Sequence, residues 1–343
     1  MSTKWKELAK VLSACRADQI KKLNVNLGSA VSGVKCDKIA NAVTSLQLPS
    51  PLSAAKPLNG ESFVILAIDL GIKNFGFCRI QLDKNLPFNK PPTVKEWKKL
   101  DLANLRTESF EATKLDLVKF DPVNYSKLAS ELIENVLYNP KMPRPDIVLI
   151  ERQRGRTSSS RNIQEWILKV NMLESMLFGM LYSKISSETP NLLDNLISVN
   201  PLRMASYYRE DQKRTKSESK KGSSKTERIE LVEKWLRDTI NPDRQTEPRL
   251  YLDPKEFPYT NTSSLQAIRS KSKWVNELIL GPDSKTGSGT VKGDDLADSL
   301  LHALSWVEWE RNRMILKMEL MMDVKEGIRV SDAFFKEHFE NLK

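Results

Sequence analysis

The feature that most constrains the fold is an apolar run that ends in a carboxylate and is followed at once by a second strand-like run. Residues 64–68 are all apolar, Asp69 follows them, Leu70 and Gly71 bend the chain, and another β-rich run begins at Phe75. A carboxylate at the end of a buried strand is costly unless it is hydrogen-bonded, paired or bound to a metal. Asp69 therefore either caps the Gly71 turn or belongs to a site whose other members lie elsewhere in the chain.

Two later elements offer carboxylates in similar settings. The segment DIVLIE predicts a second apolar strand, which ends in Glu151. The segment DDLADSLLHALSWVEW predicts a helix with an apolar face, and its first turns carry Asp294, Asp295 and Asp298. Asp298 lies about 40° around the helix from Asp294 and about 60° from Asp295, so either pair shares a face. The helix dipole favours negative charge at this end, and the sequence leaves the choice between the two pairs open.

A cluster made only of carboxylates predicts a site for hard cations. Clustered carboxylates raise one another's pKa, so a site that uses several of them in ionised form needs cations. The chain has two histidines and three scattered cysteines, so neither a mechanism based on several histidines nor a zinc site is expected. Oxygen ligands suit Mg²⁺, with Mn²⁺ as a substitute, and two such ions can support phosphodiester hydrolysis. The candidate catalytic and metal-binding residues are Asp69, Glu151, Asp294, Asp295 and Asp298.

The charge balance favours nucleic acid as the partner. Lys and Arg number 54 against 44 Asp and Glu, which gives a net charge of +10, and such an excess suits a polyanion. No apolar run approaches the roughly 20 residues of a spanning helix, so no membrane partner is expected. A segment rich in arginines and hydroxyls directly follows Glu151, and guanidinium groups match phosphate oxygens. The predicted DNA-binding residues are Lys73, Asn74, Arg152, Gln153, Arg154, Arg156, Thr157, Ser158, Ser159, Arg161, Asn200 and Arg203.

The order of elements predicts an α/β chain with a small helical segment in front. Residues 4–46 are typical of two or three short helices, and residues 47–61, with three prolines, are typical of a linker. The main domain is predicted over 62–310. Within it, residues 209–228 have no apolar side chain and predict a mobile basic loop. Residues 311–343 predict C-terminal helices. Strands are predicted at 64–69, 75–80, 93–102, 146–151 and 197–199, and helices at 125–138, 162–184, 229–240 and 294–309.

Three segments together resemble a known family: AIDLGIKNFGF, IERQRGRTSSSRNI and GDDLADSLLHALSW. They are similar to the fungal mitochondrial Holliday-junction resolvases, the cruciform-cutting endonucleases, which are distant relatives of bacterial RuvC-type resolvases in the ribonuclease H-like superfamily. The resemblance spans about residues 60–310. It implies a ribonuclease H-like, mixed five-stranded sheet flanked by helices. Residues 4–46 in turn resemble a SAP-like helical DNA-binding segment.

The resemblance also implies an activity. Its members act as homodimers that bind and open a four-way DNA junction and cut two opposed strands symmetrically, leaving 5′-phosphates. It implies dependence on Mg²⁺ with two ions per site, no small-molecule cofactor, and mitochondrial residence, although no clear targeting signal stands in the sequence. By motif position, Asp69 is the ligand on the first strand and Glu151 the ligand on the fourth. The last helix supplies Asp298 with either Asp294 or Asp295.

Other functions compete with this one. A non-catalytic DNA-architecture protein would use the SAP-like and arginine-rich segments alone. A ribonuclease H-like or transposase-like nuclease would use the same carboxylates on another substrate. An ATPase of the actin and Hsp70 type would need a second glycine-rich phosphate loop, and a chain with 13 glycines and no DxGGG-like run does not supply one.

Overall fold

The computed structural model of the chain describes ten stretches, which form two compact units. A helical unit comprises Met1–Ala55, Pro201–Ser219 and Leu304–Lys343, and a sheet unit comprises Lys56–Asn200 and Lys220–Ala303. The described residues are 3–54, 57–85, 87–108, 110–117, 119–153, 165–189, 194–215, 224–240, 248–257 and 293–322.

The sheet unit is built on a mixed sheet of six strands. In order across the sheet they are β5 (Leu196–Val199), β4 (Ile147–Glu151), β1 (Ser62–Asp69), β2 (Phe75–Asp83), β3 (Thr93–Leu100) and β6 (Tyr251–Leu252). Strands β1, β2 and β3 pair antiparallel, whereas β4 pairs parallel to β1 and to β5. The prediction of five strands is wrong by one. Strand β6 pairs parallel to β3 over two residues, too few for any alternation to be visible in the sequence.

The central strands are buried, as their apolar runs predict. Every residue of β1 before Asp69 and of β4 before Glu151 is buried. Alternate residues of these strands, including Leu66 and Ile150, share a core with two helices. The first, α5 (Pro122–Glu131), continues as a π-helical segment (Leu132–Leu137), and the second is α6 (Glu165–Glu188). The sheet is therefore a fixed platform at whose edge the strand-end carboxylates stand.

A buried ion pair supports the same platform. Arg79 of β2 is fully buried and its Nε donates to Oε2 of Glu96 on β3 at 3.2 Å. Its two terminal nitrogens donate to the carbonyls of Pro143 and Leu137, each at 2.8 Å. Because every polar group of the pair finds a partner, the charges can be kept inside the fold.

The helical unit contains three short helices near the N-terminus, where two or three were predicted. These are α1 (Thr3–Ala14), α2 (Ala17–Asn26) and α3 (Lys35–Gln47), followed by the short α4 (Pro51–Ala54) and, later in the chain, α7 (Pro201–Thr215). Apolar side chains of α1, α2 and α3 form a core that includes Leu316 of α9 (Asp294–Met322), the last helix among the described residues. Gly28 has φ +62°, and a Cβ there would lie 2.3 Å from the ring of Trp309.

The predicted basic loop at 209–228 is wrong at both ends. Helix α7 continues to Thr215, and α8 (Ser224–Ile240) begins before the predicted loop would end. Buried anchors at Tyr208 and Val232 explain the extension, because a helix held by an apolar turn can carry polar turns beyond it. Residues 216–223 lie outside the described residues. No helix in the described part of the chain is long and apolar enough to cross a membrane.

Candidate active site

Because β1 and β4 pair parallel, their C-terminal ends lie side by side, and so do the carboxylates that end the two strands. Asp69 and Glu151 each stand one residue beyond the paired Ile68 and Ile150. The two carboxyl groups lie close enough for the charge of Glu151 to act on the pKa of Asp69. Burial, followed by the charges of Glu151 and of two aspartates of α9, raises the pKa of Asp69 well above its ordinary value.

A glycine makes room for α9 beside these strands. Gly76 of β2 lies between Asp69 of β1 and Lys99 of β3 in the sheet register. A Cβ at Gly76 would lie only 2.5 Å from the carbonyl oxygen of Asp295, so the first turn of α9 occupies the space that a side chain would need. The indole nitrogen of Trp97 donates to the carbonyl oxygen of Leu296 at 2.8 Å. These two contacts hold the start of α9 over the sheet.

The aspartates of α9 do not share one environment. The charges of Asp298 and Asp295 both raise the pKa of Asp69. Burial also raises the pKa of Asp295 and of Asp298 themselves. Although burial opposes it, the hydrogen bond from Lys225 leaves the pKa of Asp294 below its ordinary value. Asp295 and Asp298 therefore belong electrostatically with Asp69, whereas Asp294 belongs with Lys225.

Three cationic side chains neutralise the aspartates of α9. Lys99 Nζ lies 2.5 Å from Oδ2 of Asp295, and Lys225 Nζ lies 2.6 Å from Oδ2 of Asp294. Arg228 contacts both oxygens of Asp298, through Nε at 2.5 Å and Nη2 at 2.9 Å. Each aspartate is thus held by its own lysine or arginine.

Sequence reasoning missed His302, Glu174, Lys99, Lys225 and Arg228. His302 Nε2 lies 2.7 Å from Oε2 of Glu151, and its position four residues after Asp298, on the same helical face, was the available signal. Glu174 of α6 accepts a hydrogen bond from the backbone nitrogen of Gln153 at 3.2 Å, and its pKa is raised by burial and by the charge of Glu151. The three cations carry no periodic signal, because their partners come from other elements.

The donor set fits a hard divalent cation in its chemistry. All of the candidate ligands are carboxylates, which suit such a cation. The charges of neighbouring carboxylates raise the pKa of Asp69, and a bound cation would relieve this repulsion. No group of three or more His, Cys, Asp or Glu side chains in the described ranges is already arranged to hold a metal ion. Lys99 and Arg228 instead occupy the oxygens of Asp295 and Asp298.

The predicted DNA-binding residues divide into three groups. Lys73 and Asn74 are exposed in the turn between β1 and β2, and Arg152 is exposed just after β4, with Gln153 half-buried beside it. Asn200 follows β5, and Arg203 of α7 donates from Nη1 to the carbonyl of Gly28 at 3.0 Å within the helical unit. The remaining residues of the arginine-rich segment lie outside the described residues: Arg154, Arg156, Thr157, Ser158, Ser159 and Arg161.

The fold and the site together define a class: mixed α/β proteins whose acidic side chains gather where two parallel central strands end and a late helix begins. Comparison with known proteins then gives the family. A family model described as mitochondrial resolvase Ydc2 / RNA splicing MRS1 matches residues 65–316. The chain belongs to this family.

Two curated relatives agree with this assignment, and one solved structure shares the fold. The chain is 33% identical over 326 residues to a Saccharomyces cerevisiae protein named cruciform cutting endonuclease 1, mitochondrial, covering 91% of this chain and 88% of that one. It is 28% identical over 249 residues to the Schizosaccharomyces pombe protein of the same name, covering 72% and 78%. A crystal structure titled as the yeast mitochondrial Holliday junction resolvase Ydc2 matches with a TM-score of 0.52 and 23% identity, over 90% of this chain and 98% of that chain. At that identity the structure supports the mixed α/β fold alone.

Proposed function

We propose that the chain is a metal-dependent endonuclease that resolves four-way DNA junctions. The observation that carries the proposal is the meeting of Asp69, Glu151, Asp295 and Asp298 at one edge of the sheet, in a chain whose curated relatives are named cruciform cutting endonucleases. A structural protein has no need to gather four half-buried acidic groups, because each raises the cost of ionising the others.

We assign the metal-binding role to Asp69, Glu151, Asp295 and Asp298. The two strand ends fix Asp69 and Glu151, and His302 orients the Glu151 carboxylate through its hydrogen bond. We favour Asp295 over Asp294 as the partner of Asp298, because Asp295 acts on Asp69 whereas Asp294 is held by Lys225. Bound Mg²⁺, or Mn²⁺ in its place, would supply a water of lowered pKa and neutralise charge on the phosphate.

The same proposal assigns a DNA surface around the site. Lys73 and Asn74 are exposed beside Asp69, and Arg152 is exposed beside Glu151, within reach of the phosphates that flank a scissile bond. The arginine-rich segment 154–161 continues from there, and its guanidinium groups would grip phosphates in pairs. With a net charge of +10, junction binding should weaken with added salt as counterions are released less favourably.

Several finer features enter as parts of the proposal. They are a ribonuclease H-like arrangement of the sheet, a SAP-like role for residues 4–46 and a linker role for 47–61. They also include two ions per site, a homodimer that cuts opposed strands symmetrically to leave 5′-phosphates, and residence in mitochondria. The mitochondrial assignment rests on both curated relatives being named mitochondrial.

A second candidate function comes from the family description, which also names RNA splicing. A protein of that kind would bind a branched nucleic acid without cutting it, as would the DNA-architecture protein considered from the sequence. The half-buried acidic cluster favours the nuclease, since a binding protein would gain affinity for DNA if those acids were replaced.

The test is a competition between substrates. We would incubate the protein with a labelled mobile four-way junction, a linear duplex and an RNA–DNA hybrid, each in Mg²⁺ and in EDTA. The proposal predicts paired, symmetric nicks on the junction alone, and only with the metal. Cleavage of the hybrid in preference would favour a ribonuclease H-like activity, and binding without cleavage under Mg²⁺ and Mn²⁺ would favour the architectural function.

A further inference from the structure

Arg228 stands where a metal-free acidic site needs a positive charge. Its guanidinium contacts both oxygens of Asp298, and its side chain is only 15% exposed. The charges of Glu151 and Asp69 also act on it. One arginine on α8 thus contacts one of the four carboxylates assigned to the metal, at both of its oxygens, and lies close enough to be affected by the charges of two others.

The two contacts made by α8 differ in character. Lys225 is 67% exposed and reaches Asp294, the aspartate that stands apart from the cluster. Arg228 is enclosed and reaches into the cluster itself. Val232 and Leu236, one and two turns later, are fully buried and hold the helix in place. Because α8 is fixed by this packing, release of Asp298 has to come from the Arg228 side chain rather than from movement of the helix.

Arg228 and a divalent cation need the same oxygens. A guanidinium that contacts both oxygens of a carboxylate takes a lone pair of each, and its positive charge repels a divalent cation that approaches the same oxygens. Once the metal neutralises the charge of Asp298, the attraction between this carboxylate and the guanidinium weakens. A planar fork of donors released at the edge of the site matches the oxygens of a phosphate that arrives there.

We propose that Arg228 is an exchangeable internal counter-ion: it holds Asp298 in the metal-free protein, competes with the divalent cation for that carboxylate, and contacts the DNA phosphate once displaced. This inference rests on the proposed function, because it takes the acidic cluster to be the metal site. It adds Arg228 of α8 to the residues that control the metal site. It predicts that Arg228 keeps the affinity for a divalent cation below the value that the carboxylates alone would give.

The test measures binding of Mn²⁺ to the DNA-free protein by the loss of the electron paramagnetic resonance signal of the free ion. Arg228→Ala should bind Mn²⁺ about tenfold more tightly than the wild type, because a charge-assisted bidentate contact no longer competes. Arg228→Lys keeps the charge without the fork and should lie between the two. Lys234→Ala removes an exposed positive charge from the same helix and should leave Mn²⁺ affinity within about twofold, since an exposed charge at this distance is screened.

Three outcomes would overturn the inference, and they are distinguishable. Mn²⁺ affinity that is unchanged or weaker in both Arg228 variants would mean that Arg228 does not compete with the metal, while leaving the proposed function intact. Tighter Mn²⁺ binding with unchanged turnover at saturating Mn²⁺ would contradict the phosphate contact, for which a loss of about 100-fold in turnover is expected. Absence of Mn²⁺ binding to the wild type and to both Arg228 variants, or binding that survives Asp69→Asn, would overturn both this inference and the metal site itself.

Discussion

At the scale of single residues, Asp69 has an unusual energetic position in the metal-free protein. Burial and three neighbouring carboxylates raise its pKa well above its ordinary value, which in an unfolded chain is about 3.9. The folded protein thus binds this proton more tightly than the unfolded chain does. The corresponding stabilisation is fully present below about pH 4 and is lost as the pH rises through the folded-state pKa.

Removing the charge of Asp69 should therefore stabilise the metal-free protein. In EDTA at pH 7, Asp69→Asn should raise Tm by roughly 2–4 °C, which corresponds to about 1 kcal/mol in a domain of this size. The measurement is a series of thermal melts from pH 4 to pH 8, in which the difference between variant and wild type should widen with pH. An Asp69→Asn protein that melts below the wild type at pH 7 would contradict the repulsion inferred here.

The two neighbouring aspartates of α9 should differ in their effect on cleavage. Asp295→Asn should slow junction cleavage by about 100-fold or more, because Asp295 acts on Asp69. Asp294→Asn should cost about tenfold or less, because its partner is the exposed Lys225. The two variants carry the same Asp-to-Asn change at adjacent positions, so each is the control for the other. Comparing single-turnover rates settles the assignment, and a larger loss for Asp294→Asn would reverse it.

At the scale of elements, the site depends on how closely α9 approaches the sheet. The row formed by Asp69, Gly76 and Lys99 crosses three strands, and the backbone of Asp295 lies against the missing side chain of Gly76. The glycine is needed for this contact rather than for its backbone dihedral angles. Any side chain there has to push α9 away from the strand ends, and the carboxylates with it.

Gly76→Ala should therefore reduce both stability and cleavage. We expect a loss of about 1–3 kcal/mol, the usual cost of overfilling a packed contact, and slower cleavage with junction binding retained. Gly179→Ala in α6 is the matched control, because a Cβ there meets nothing within 4 Å and alanine favours a helix by about 1 kcal/mol. Urea unfolding and cleavage rates measure both variants. Equal stability of the two variants would mean that α9 tolerates displacement.

Elements with a local periodic pattern could be predicted from the sequence, whereas contacts between distant elements could not. Apolar runs that end in Asp69 and Glu151 predicted β1 and β4, and helical spacing predicted the start of α9, because each is a local pattern with a period. Strand β6 was missed because a strand of two residues is too short to show an alternation of apolar and polar side chains. The ion pairs of Lys99 and Arg228 were missed because each joins two elements that are distant in the chain. Arg228 lay in a segment whose polarity predicted a loop, whereas buried residues further along α8 keep it helical.

At the scale of the whole molecule, the helical unit joins segments from three parts of the chain. Leu316, near the end of α9, is 1% exposed and packs into the core formed by the N-terminal helices. Asn312 donates to the carbonyl of Asn26 at 2.8 Å in the same unit. The N-terminal helices therefore pack against the end of α9, and the stability of this unit depends on segments that are distant in the sequence.

Leu316→Ala should consequently destabilise the N-terminal helices. A cost of about 2–5 kcal/mol is usual for such a buried truncation, and hydrogen exchange in α1–α3 should accelerate accordingly. Met318→Ala, two residues later and 56% exposed in the wild type, should change stability by no more than about 0.5 kcal/mol. Unchanged exchange in α1–α3 after Leu316→Ala would mean that these helices fold independently of α9.

The central claim is that carboxylates at the strand ends perform metal-dependent cleavage of a junction that the basic surface binds. The most direct measurement compares wild type and Asp69→Asn on one labelled four-way junction in Mg²⁺, following binding and cleavage in the same samples. We predict binding within about twofold of wild type, since the basic surface is intact, and cleavage slowed by about 1,000-fold or more through loss of a metal ligand. Cleavage by Asp69→Asn at close to the wild-type rate would contradict the account.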